Sequence, residues 1–331
     1  MPKQLASIPP PSVGARVTLL RPLLATMMRC QRVMDRMLGG VAAAQKESAF
    51  RSLEPDAEHG PILDPTDAPL LFKLLDHLDQ KMGGVRPSEV RVGLLPACGV
   101  LDLGKAGRSR PDRQILIIGL PCFQIWTVDE LSAVVAHEMA HLKLLDAVFT
   151  REVVHLSARW RSERDRRRWG RFLGGRIGVM AAGVCRSMEF RADQWSALCF
   201  RAETLSRALE KLLVVEPIFR LVLSHYEENG HGDTVFDHFA RSWAGVDDEK
   251  FADLRRKLIA KAEVDSLDPH PSLVDRLNRL AKSRGDAPPQ PSAPAMKLLK
   301  NPDQLKRMLS NRLFGTRPAK ETVFFPAMDG E

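Results

Sequence analysis

In the stretch His137-Glu138-Met139-Ala140-His141 two imidazoles stand four residues apart. On a helix that spacing projects both rings from one face toward one point, where they can share a zinc ion. Glu138 is one position along, too far round to be a third ligand but placed to hydrogen-bond a metal-held water and act as general base. The chemistry on offer is hydrolysis. A catalytic zinc takes three protein ligands, so one more must come from elsewhere in the chain. Ser187-Met188-Glu189-Phe190-Arg191-Ala192-Asp193 supplies two carboxylates four apart on one helical face. One can ligate while the other orients a ligand histidine. The competing possibility is that Glu189 and Asp193 form surface ion pairs with Arg186 and Arg191.

These residues need rigid elements. Thr127 and Glu130 form a capping box that opens the helix bearing both histidines, with Trp126 positioned to staple onto Leu131. Helical periodicity continues toward Leu213, with breaks expected near Gly170 and Gly174-Gly175. Upstream, Leu70, Leu71, Leu74, Leu75, Leu78 and Met82 recur at helical spacing between Pro69 and Gly83. Two apolar runs, Val90 to Leu95 and Ile115 to Leu120, read as neighbouring strands of a small sheet to whose edge a substrate could add. A further helix is expected around Leu19 to Met37, and a short last one near Pro302 to Leu313 after the linker-like Gly285 to Pro294. The reading is a mostly α fold with a small β-sheet (α+β). It divides into an N-terminal extension (1–66), a catalytic domain (67–284) and a linker, short helix and tail (285–331).

Composition agrees with this. The 331 residues are 44% hydrophobic but only 6% aromatic, with a single tyrosine, which favours a helical core. Five scattered cysteines without a C-x-x-C pair argue against a disulfide framework and a zinc knuckle. The Pro-rich start shows no apolar signal region, and the longest uncharged run, Gln114 to Val128, is 15 residues, short of the roughly 20 that span a bilayer. A cytoplasmic location is expected. The net charge of +8 invites acidic partners. The segment Arg159 to Arg176 gathers eight arginines with Trp160, Trp169 and Phe172, a composition that could lie peripherally on an anionic membrane, the competing reading being a solvated helix face whose charges pair with Glu163 and Asp165; nucleic acid is not expected. The run Gly99 to Ala106 nearly spells a phosphate loop, but Ala106 replaces the hydroxyl that would hold magnesium, so it reads as a surface loop. His225, His231 and His238 share no helical face and are not expected to bind metal.

Taken together, ILIIGLPCFQIWTVDELSAVVAHEMAH at 115–141, Asp146, EFRAD at 189–193 and His270-Pro271-Ser272 resemble the HtpX and CAAX-prenyl-protease type of zinc metallopeptidase, a gluzincin family. The resemblance covers about 68–280. It implies a Zn²⁺ held by His137, His141 and Glu189, water activation by Glu138, an orienting carboxylate at Asp193 and a buried partner at Asp146. The expected activity is metalloendopeptidase hydrolysis of protein or peptide substrates. A catalytically silent protein that binds a membrane or nucleic acid through its basic segment is the alternative. The chain departs from the pattern at Pro96-Ala97-Cys98-Gly99, where many members carry Asn-Ala, and in lacking apparent transmembrane helices. For the oxyanion donor His270 is the candidate, since Pro271 holds it out of helix before a rigid turn and the resemblance puts such a histidine near the metal. Tyr226 is the runner-up.

Overall fold

The computed structural model describes residues 60–102, 113–144, 168–229, 233–262, 266, 268–283 and 292–314. The expected helix at 19–37, Asp146, His231 and the basic segment up to residue 167 lie outside them.

The first helix, α1 (Pro69–Met82), buries Leu71, Leu75, Leu78 and Met82 along one stripe. It stops at Gly83, whose φ of 81° is a left-handed conformation that costs glycine no Cβ clash. The sheet holds β1 (Ile62–Leu63), β2 (Glu89–Gly93), β3 (Cys98–Asp102) and β4 (Gln114–Gly119) in the order β1-β2-β4-β3. β2 and β4 are parallel, with Val90 opposite Leu116 and Val92 opposite Ile118, as neighbouring apolar runs would be. β3 adds antiparallel to β4, Cys98 facing Ile118, and forms an edge. The near-phosphate-loop sequence thus begins inside a strand, and the sheet gains a member from a stretch read as loop. Gly119 permits this turn of chain: a Cβ there would lie 1.8 Å from the Leu95 carbonyl oxygen, while its N–H donates to Ala97 O at 2.7 Å.

Helices α2 (Leu120–Ile125) and α3 (Val128–Lys143) follow directly. The capping box forms as expected, Glu130 N–H donating to Thr127 Oγ1 and Thr127 N–H to Glu130 Oε2. α3 is buried over most of its length, from Glu130 to Leu142, between β3, α4 (Arg168–Phe200) and α5 (Ala202–Asn229). Alanines at 133, 136 and 140 are fully buried and let these neighbours approach closely. α4 is one continuous helix of 33 residues that runs through Gly170, Gly174 and Gly175, not the two or three shorter ones the glycines suggested. Glycine costs a helix about 1 kcal/mol relative to alanine but keeps its N–H, so the hydrogen-bond ladder survives. The break comes at Arg201, whose φ of 77° turns the chain sharply into α5.

The remaining helices are α6 (Val235–Ala244), α7 (Asp248–Lys261), α8 (Leu273–Ala281) and α9 (Pro302–Phe314), with a 3₁₀ turn at Ala295–Leu298. Residues 292–314 are built into the same core as the rest. Leu298, Leu299 and Leu309 are buried there, and Ser292 and Ala293 accept from the first N–H groups of α3. Likewise β1, inside the expected N-terminal extension, belongs to the sheet. Packing therefore crosses both boundaries drawn at 66 and 284. Among the described residues no helix is long and apolar enough to cross a membrane.

Candidate metal centre and catalytic site

α3 presents His137 and His141 one turn apart, with ring centroids 4.8 Å apart and planes at 81°. α4 lies across this face and brings Glu189 to it. The packing is locked by Ser196, whose buried hydroxyl donates to Ala133 O at 2.6 Å, the carbonyl one turn before His137. The resulting donor triangle is compact. His137 Nε2 and His141 Nε2 are 3.1 Å apart, His137 Nε2 is 3.4 Å from Glu189 Oε2, and His141 Nε2 is 3.3 Å from Glu189 Oε1. A tetrahedron built on zinc–ligand bonds of about 2.0–2.1 Å has edges of about 3.3 Å, and these closest separations are near that value, the two to Glu189 ending on different carboxylate oxygens. Among the described residues this is the group of His, Cys, Asp or Glu side chains close enough to hold a metal.

Asp193, one turn beyond Glu189, lies 2.9 Å from His137 Nδ1 through its Oδ1. This fixes the ring so that Nε2 faces the triangle. Burial works against a charged His137, but its hydrogen bonds to Asp193 and Glu189 prevail and raise the imidazole above its ordinary value. For Glu189, burial would raise the carboxyl, yet the bonds from both imidazoles hold it well below the usual carboxylate range. Asp193 is likewise lowered against its burial, by His137 and by Arg276. Glu138 behaves oppositely: burial pushes its carboxyl up, against the pull of the two histidines. Two carboxylates beside one donor set thus stand in contrasting environments.

Of the residues singled out from sequence, the structure brings together His137, Glu138, His141, Glu189 and Asp193. Arg186, one of the suggested surface partners of the carboxylates, is engaged elsewhere and donates to the carbonyls of Ser266 and Asp268. His270 faces Asp268. Its side chain is 63% exposed and its Nδ1 is 3.3 Å from Asp268 Oδ1, whose oxygen also accepts the His270 N–H. Tyr226 is buried but donates its hydroxyl to Asp233 O and packs edge-on to His238.

Arg276 of α8 was not foreseen. Its Nε and Nη2 donate to Asp193 Oδ2 and Oδ1 at 2.9 and 2.6 Å, and its Nη1 is 3.7 Å from Glu189 Oε2. The signal available was its position. Arg276 falls on the stripe of Leu273, Leu277 and Leu280, where a charge needs a buried partner.

Against known protein families, residues 107–284 match the model of peptidase family M48. The Protease HtpX homolog of Syntrophobacter fumaroxidans (strain DSM 10017 / MPOB) is 28% identical over 176 residues, covering 45% of this chain and 61% of that protein. The chain thus spans about three fifths of the length of the curated relative it matches. No solved structure matches. The family match holds every residue of the donor set and spans more than half of the sequence, and the chain therefore belongs to peptidase family M48.

Proposed function

We propose that the protein is a zinc-dependent metalloendopeptidase that cleaves protein or peptide substrates. The observation that supports this best is the cluster of His137, His141 and Glu189, with closest donor separations of 3.1–3.4 Å, beside a buried Glu138. A zinc ion held by these three residues would polarise the scissile carbonyl and lower the pKa of water toward about 7. Glu138 accepts the water's proton as the oxygen attacks the carbonyl carbon, and returns it to the amine nitrogen as the C–N bond breaks. Its raised affinity for a proton suits a group that must both take and give one near neutrality. Asp193 keeps the His137 proton on Nδ1, leaving Nε2 as the donor.

The extended substrate would lie along β3. This strand ends the sheet and packs beside α3, so its outer backbone edge is placed to pair with a peptide next to the donor set. The catalytic unit would comprise β1 through α9. Peripheral membrane contact through Arg159 to Arg176 is a separate proposal, tested by binding to anionic vesicles at low and high salt.

Metal analysis of purified protein should give close to one zinc per chain. Glu138→Gln should retain that zinc and the fold while losing about 100- to 10,000-fold in hydrolysis of an unstructured protein substrate. A chain with no bound zinc, or a Glu138→Gln variant with full turnover, would return the protein to the reading of a silent binding module.

A further inference from the structure

Arg276 is joined to both carboxylates of the site. Side-on, its Nε and Nη2 pair with the two oxygens of Asp193, while Nη1 faces Glu189 Oε2. Asp193 Oδ1 therefore accepts from Arg276 Nη2 at 2.6 Å and faces His137 Nδ1 at 2.9 Å. The guanidinium is only 14% exposed, so this fork is largely shielded from water. A carboxylate held by one imidazole alone can rotate about its last torsion. Held by a planar two-pronged donor it cannot, and Oδ1 stays aimed at Nδ1.

The helix that bears Arg276 packs on α5 and is tied to α4 by polar contacts. Within α8 only Leu280 is buried. Its other links to α4 include Arg279, stacked 3.7 Å over the Phe190 ring, and Arg186, which holds the carbonyls of Ser266 and Asp268 just upstream. The element carrying Arg276 is thus placed both by α5, on which it packs, and by the stretch of α4 that carries Glu189 and Asp193.

We infer that Arg276 is a positioning residue for the metal centre, acting through Asp193 on His137, so that docking of α8 sets part of the zinc affinity. This rests on the zinc reading above. The test is the zinc dissociation constant, measured by competition with a chromophoric chelator, for wild type, Arg276→Ala, Arg276→Lys, Asp193→Ala and the Asp193→Ala/Arg276→Ala double variant. Arg276→Ala should weaken zinc by about 10- to 100-fold. Arg276→Lys, which keeps the charge but not the fork, should recover only part of that loss. The double variant should lose less than the sum of the two single losses, because both changes share the Asp193 carboxylate even though Arg276 Nη1 also faces Glu189 Oε2 and its Nη2 lies 3.5 Å from His137 Nδ1. Unchanged affinity in Arg276→Ala, or losses that add in the double variant, overturns the inference. If the alanine variant does not fold, wild-type affinity in Arg276→Lys does the same. Absence of zinc from the wild-type protein would instead sink the metallopeptidase reading itself.

Discussion

His137 Nδ1 lies 2.9 Å from Asp193 Oδ1, on the side of the ring opposite the nitrogen that faces His141 and Glu189. One imidazole thus touches both carboxylates of α4, each with a different nitrogen, and the i, i+4 spacing of Glu189 and Asp193 matches the span of the ring. Glu189 faces both histidines, and Asp193 faces His137 from the other side of its ring.

It follows that Asp193→Ala should weaken zinc by about 10- to 100-fold without deleting a donor from the triangle. Activity should return when zinc is raised well above the new dissociation constant. An Asp193→Ala protein with wild-type zinc affinity would show that the ring is oriented by packing alone.

The proton on His137 makes metal binding depend on pH. Its folded pKa is raised, so in the metal-free protein the charged ring stabilises the fold below the unfolded value of about 6.5, and that contribution is lost as pH rises through the folded pKa. Zinc requires the neutral ring and must displace the proton, so zinc affinity should rise with pH across the same window. The increase in Tm caused by saturating zinc should accordingly be larger at pH 8 than at pH 6. An equal or smaller increase at pH 8 would remove His137 from the ligand set.

Much of this site is legible in the sequence because its signals are local. The histidine spacing, the capping box at Thr127 and the leucine stripe of α1 each act within a few turns of one helix, and each element appears where those signals place it. What the sequence leaves open is settled by partners far away in the chain. Spacing alone makes Glu189 and Asp193 equivalent, and only the crossing of α4 over α3 distinguishes them. Arg276 looks like a misplaced charge until Asp193, 83 positions earlier, is known to face it. Cys98–Asp102 has neither a clean alternation nor a strong β composition, and becomes a strand because β4 offers it an edge.

The capping box can be probed without touching the site. Thr127 Oγ1 serves the Glu130 N–H, and Glu130 Oε2 also accepts from Lys211 Nζ at 2.8 Å, tying the start of α3 to α5. Thr127→Ala should cost about 1 kcal/mol in urea denaturation, as N-cap losses typically do. Zinc stoichiometry should not change. A destabilisation of several kcal/mol would mean that the cap also sets how α3 packs.

Residues 292–314 lie beyond the family match and have the Pro-rich approach of a tail, yet they complete the start of α3. Ala293 O accepts from Val128 N–H at 2.7 Å, Ser292 Oγ from Asp129 N–H at 3.1 Å, and Ala295 N–H donates to Trp126 O at 2.9 Å. Two of the first N–H groups of α3, which no helix can satisfy internally, are thereby served from this segment. Farther along, Ser310 Oγ accepts from Val235 N–H at the start of α6, and Lys300 N–H donates to Asp67 O just before α1. The segment thus clasps the starts of three helices, and its buried leucines anchor it in the common core. Leu298→Ala should cost on the order of 2–5 kcal/mol, the range for emptying a buried leucine site. Ending the chain at residue 291 should cost more, since it removes Leu298, Leu299 and Leu309 together with those hydrogen bonds. Urea denaturation of the metal-free proteins would measure both. A chain ending at 291 with wild-type stability would show that the segment is a dispensable tail after all.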